Sequence, residues 1–74
     1  MVLVWERSGD TFYAEIEALA GGFRYSLIVE KMPLAGWGWS VLREVKGAWR
    51  LTQNGIAGTA QEAMREAEQA TGAV

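Results

Sequence analysis

Thr59-Ala60-Gln61-Glu62-Ala63-Met64-Arg65-Glu66-Ala67-Glu68-Gln69-Ala70 decides the fold, because it is where the apolar repeat of the chain changes from strand-like to helix-like. Ala60, Ala63, Met64, Ala67 and Ala70 form one stripe at helical period. Thr59 and Glu62 stand in the S/T-x-x-E pattern of a capping box, in which the two side chains satisfy N–H groups that a helix start leaves without partners. The spacing predicts a helix over about 60–71, with Gly72 as its stop.

Upstream, the period is two. Phe12, Ala14, Ile16 and Ala18 alternate with Thr11, Tyr13, Glu15 and Glu17, and Phe23, Tyr25, Leu27 and Val29 alternate with Arg24, Ser26, Ile28 and Glu30. Val2 to Arg7 reads as an earlier strand turned by Ser8-Gly9-Asp10, with Gly21-Gly22 making the next turn. Pro33 interrupts pairing between Met32 and Gly36, since proline has no N–H for a ladder. Trp37, Trp39 and Val41 then share a face, Lys46-Gly47 marks a turn, and Ala48 to Thr52 gives a short last strand. Gln53 to Gly58 reads as a polar, glycine-rich connection. The expected fold is α+β: one domain over 1–74, a four- to five-stranded antiparallel sheet within about 2–52, packed on one C-terminal helix.

An alanine stripe lets the helix axis approach the sheet closely, so wide rings must fill the space between. Alternation directs Phe12, Phe23, Tyr25, Trp37, Trp39 and Trp49 towards the helix and leaves Tyr13 as the clearest outward aromatic. Arg24, Arg50 and Ile28 fall with Tyr13 on the face away from the helix, and Trp37 abuts the loop. Five strands spaced by about 4.8 Å are wider than a helix of about 10–12 Å, so one edge ring is expected to stay exposed.

Composition excludes more chemistry than it offers. The chain has no Cys and no His, which removes thiolate chemistry, disulfides, the commonest metal ligands and the usual general base near neutral pH. Glu15 and Glu17 alternate onto one outward face, where a solvated strand surface is the simpler reading than an acid–base pair. No cofactor, metal or catalytic residue is therefore expected. Seven Lys/Arg against nine Asp/Glu give a net charge of −2; six of each sign lie before residue 58, and the acidic surplus sits on the helix as Glu62, Glu66 and Glu68, with Glu66 expected on its exposed side. That balance fits poorly with phosphate neutralisation, so little affinity for free nucleic acid is expected. Met1 to Trp5 is too short an apolar run for a signal peptide or a spanning helix, which leads to the expectation of a soluble, cytoplasmic monomer or small homo-oligomer.

With catalysis set aside, the candidate residues are those suited to an interface. Tyr13, Arg24, Ile28 and Arg50 mix aromatic, aliphatic and guanidinium groups on one face, and Gly36-Trp37-Gly38-Trp39 flanks indoles with glycine, so these residues and Trp37 form the expected partner-binding set. The same set would serve a single-stranded nucleic-acid-binding module as an alternative.

The run Gly55-Ile56-Ala57-Gly58-Thr59-Ala60-Gln61-Glu62-Ala63 resembles the strand-to-helix junction of small bacterial and prophage proteins that include the HicB-like antitoxins. That resemblance covers roughly the last 50 residues and implies a reduced sheet-helix domain that blocks a small RNase toxin. In type, the chain also resembles phage-encoded inhibitors of the anti-CRISPR group: small, acidic, free of Cys, and built of a sheet with one or two helices. This second resemblance implies a non-enzymatic, stoichiometric inhibitor that binds a subunit of a host nuclease or CRISPR-type complex in the host cytoplasm.

Overall fold

Among the described residues, two hairpin turns and one five-residue loop connect the alternating segments of a simple meander. The computed structural model describes residues 4–17 and 24–71. Its elements are β1 (Glu6–Ser8), β2 (Thr11–Glu17), β3 (Arg24–Lys31), β4 (Trp37–Val45), β5 (Ala48–Ala57) and α1 (Ala60–Ala70). The strands form one antiparallel sheet in the order β1-β2-β3-β4-β5, and α1 lies over β3, β4 and β5. The expected α+β fold, one antiparallel sheet with a C-terminal helix, is the fold observed. Val2, Ala18, Gly21-Gly22, Phe23 and Gly72, which also figured in the sequence reading, lie outside the described residues.

Local chemistry accounts for the turns and caps. Lys46 and Gly47 link β4 to β5 with φ of 52° and 81°, the positive values that a two-residue type I′ hairpin demands at both central positions. At the helix start the Thr59 hydroxyl accepts from the Glu62 N–H at 3.1 Å, as the capping pattern predicts. At the other end the Thr71 hydroxyl donates to the Glu68 carbonyl at 2.7 Å.

The face of the sheet under α1 holds the core. Directly opposed residues on neighbouring strands share a face, which gives the rows Phe12–Val29–Trp39–Gly55, Ala14–Leu27–Val41–Gln53 and Ile16–Tyr25–Arg43–Arg50. Leu27, Val29 and Val41 are fully buried, as are Ala63 and Ala67 of the helix. Leu27, Val29 and Val41 each contribute about 1.5–3 kcal/mol of transfer free energy. Gly55 explains how a Trp fits beneath a close helix: a Cβ at this position would lie 2.7 Å from the Trp39 ring, so the indole rests directly on bare backbone.

Two indoles are tied to the helix by hydrogen bonds. The Trp39 Nε1–H donates to Glu66 Oε1 at 3.2 Å, and the Trp5 Nε1–H donates to Glu68 Oε2 at 2.8 Å. Glu66 and Glu68 are half-buried, which corrects the expectation that Glu66 lies on the exposed side of the helix. A tryptophan N–H under a helix needs an acceptor, and the acidic residues supply it.

β5 departs most from its sequence reading. It extends through Ala57, not Thr52, so the segment read as a polar connection is strand. A β-bulge explains why: Val41 pairs with Gln53 but Leu42 pairs with Leu51, leaving Thr52 as an extra residue whose hydroxyl donates to the Val41 carbonyl at 3.0 Å. One inserted residue inverts the alternation between the two halves of the strand. As a result, Ala48 and Arg50 lie on the helix side, and Trp49 and Leu51 lie on the outer side, the reverse of the expected placement of Trp49 and Arg50.

Candidate functional site

The outer face of the sheet carries the arrangement best suited to binding. Its rows are Arg24–Glu44–Trp49, Glu15–Ser26–Leu42–Leu51, Glu6–Tyr13–Ile28–Ser40–Asn54 and Glu30–Gly38–Ile56, with Arg24 placed opposite Glu44 by continuing the β3–β4 register beyond Tyr25–Arg43. Tyr13, Ile28, Leu42, Leu51 and Trp49 therefore form a diagonal apolar band from β2 to β5. No helix of the described residues covers it. Tyr13 is 41%, Trp49 38% and Leu51 57% exposed, values that leave large apolar surface open to a partner.

Arg24 is the charged centre of that face. Its guanidinium lies 3.8 Å from Glu15 Oε1 and 3.6 Å from Glu44 Oε2, and sits over the Trp49 ring at 5.8 Å from the centroid. A planar guanidinium suits such combined ionic and stacking contact. Glu15 and Glu44 around this one cation, with Glu6 and Glu30 on the same face, leave the face net acidic, so it is a poor receptor for a polyanion and a better match for a partly apolar surface without acidic excess.

Three of the five expected interface residues come together here: Tyr13, Arg24 and Ile28. A shallow depression lined by Val4, Tyr13, Ser26 and Ile28 lies at this end of the band. Arg50 does not join them, because the bulge turns it to the helix side beside Arg43. Trp37 also points to the helix side, where it is half-buried and packs against Phe12 with ring centroids 5.9 Å apart at 54°. Arg7 continues this stack over Phe12, at 5.5 Å from the ring centroid. The residues that the sequence reading missed are Leu42, Glu44, Trp49 and Leu51. Their signal was partly present, since Trp49 and Leu51 do alternate away from Arg50; only the face was inverted.

Among the described residues no cluster of three or more acidic side chains is placed to hold a metal ion, and no helix is long and apolar enough to cross a membrane. Comparison of the chain with protein-family models, with curated proteins and with solved structures returns no match.

Proposed function

We propose that the protein is a non-enzymatic binding module that acts by occupying the surface of a partner protein with the outer face of its sheet. The observation that carries this reading is the diagonal band Tyr13–Ile28–Leu42–Leu51–Trp49 with Arg24 braced at its edge. Interfaces draw most of their energy from a few Trp, Tyr and Arg anchors surrounded by contacts that exclude water, and this face offers one of each. Its most specific form follows from the resemblance in type: a stoichiometric, anti-CRISPR-like inhibitor of a subunit of a host nucleic-acid-processing complex.

The test is titration of the protein into target cleavage by purified CRISPR-type effector complexes, with binding to the separate subunits followed in parallel. Inhibition that saturates near one copy per effector, and that weakens at least tenfold in Tyr13→Ala and Arg24→Ala variants with unchanged melting, is the expected result. Capture of a small RNase toxin in place of an effector subunit would keep the binding module and replace its target. Tight, salt-sensitive binding of the isolated protein to single-stranded oligonucleotides would overturn the protein-binding reading.

A further inference from the structure

β5 is an edge strand of ten residues, exposed over most of its length and free of Pro and Lys, with one cation, Arg50, and the bulge at Thr52 as the features a second strand must accommodate. We infer that two copies of this chain pair antiparallel through β5, joining their sheets into one ten-stranded sheet about a two-fold axis near Thr52 and Gln53. The inference rests on the geometry of β5 and is independent of the function proposed above.

The bulge selects the pairing. In a two-fold antiparallel pair, opposed residues must share a face and the same hydrogen-bonding phase. Trp49, Leu51, Asn54 and Ile56 all lie outward and all oppose even-numbered residues of β4, so they share both properties. Ala48, Arg50, Gly55 and Ala57 lie inward in the same way. One register satisfies both halves of the strand at once: Ala48 opposite Ala57, Trp49 opposite Ile56, Arg50 opposite Gly55 and Leu51 opposite Asn54, repeated on each side of the axis. Pairing the first half with itself would engage only about Ala48–Leu51, centred on Arg50 against its own copy, a like-charge contact that destabilises a ladder, or on Trp49 against its own copy, and in either case leaves Asn54–Ala57 unused. Pairing the second half with itself leaves Ala48–Leu51 unused.

The chosen register also covers what the single chain leaves bare. Ile56, 66% exposed, gains a Trp49 ring as its cross-strand neighbour, and the same contact recurs across the axis. Arg50 meets a glycine and no charge. The helices leave room: with α1 centred on β4, three strand spacings separate the two helix axes by about 14 Å, beyond the 8–10 Å at which helices touch. A domain of this length, without a disulfide, gains stability from association that its small core does not supply.

The experiment is sedimentation of the full chain, together with oxidative cross-linking of a Trp49→Cys/Ile56→Cys double variant and of each single variant. Within one copy these positions are about 23 Å apart along the strand, too far for a disulfide, whereas in the inferred register they face each other between copies. The expected result is twice the chain mass for the parent protein at high concentration, and efficient covalent dimer in the double variant but in neither single variant. A single-chain mass at every concentration, or cross-linking of either single variant as readily as the double, overturns the inference.

Discussion

The two faces of this sheet are made from nearly the same residue types and put to different use. On the helix side, the row Ala14–Leu27–Val41–Gln53 crosses the sheet, and its two large aliphatics, clustered with Ala63 and Ala67, are sealed from solvent. One residue along, Glu15–Ser26–Leu42–Leu51 runs across the other side, and Leu51 remains mostly in water. Helix coverage, not residue type, separates them. An apolar side chain under the helix answers for stability, whereas the same side chain on the open face is available for contact with a partner.

If that division holds, variants on the helix side should move stability and variants on the open face should move binding. Trp39→Ala is the largest expected effect, since it removes the widest buried ring and strands the Glu66 carboxylate that the indole satisfied. A loss of about 3–5 kcal/mol equals the whole net stability typical of a domain this small, so the cooperative thermal transition followed by circular dichroism should disappear. Gly55→Ala comes next. Its new methyl would meet the Trp39 ring, and overpacking of about 1–3 kcal/mol should lower the urea midpoint without altering the slope of the transition.

Arg24→Ala should invert the pattern. Its two ion pairs and its ring contact are partly exposed, so the stability change should stay within about 1 kcal/mol, while partner affinity measured by titration falls by about 2 kcal/mol or more. A fall in melting temperature as large as that of Gly55→Ala would merge the two faces into one structural unit. The smallest expected effect is a gain: Lys46 holds a positive φ that Asn tolerates better, so Lys46→Asn should raise the melting temperature by a few degrees, equivalent to about 0.5 kcal/mol.

Legibility in the sequence followed the same divide between regular and irregular backbone. Thr11 to Glu17 and Arg24 to Lys31 alternate without interruption, and the Thr59 cap and alanine stripe carry the helical period, so their elements could be read directly. The Thr52 bulge could not. An inserted residue leaves no compositional mark, and the segment beyond it, Gln53-Asn54-Gly55, has the polarity of a loop because Gly55 serves the Trp39 ring and Asn54 faces outward. Of the candidate site, Tyr13, Arg24 and Ile28 were readable because they sit on regular strands. Arg50 and Trp49 exchanged faces through that one residue, and Leu42, on the strand opposite, went unnoticed as the partner of Leu51. The indole bonds from Trp5 and Trp39 to the helix join residues 63 and 27 positions apart, a distance over which periodicity says nothing.

The separation of the two faces is tested most directly by melting Leu51→Ser and Val41→Ser side by side at one protein concentration. Both remove a branched aliphatic from neighbouring rows of the same β4–β5 pair, one open and one sealed. Leu51→Ser should melt cooperatively within about 1 kcal/mol of the parent, as surface substitutions do, and Val41→Ser should lose most of its stability to a cavity that holds an unpartnered hydroxyl. Equal losses in the two variants would contradict the account, because they would mean that the outer row is as much a part of the core as the inner one.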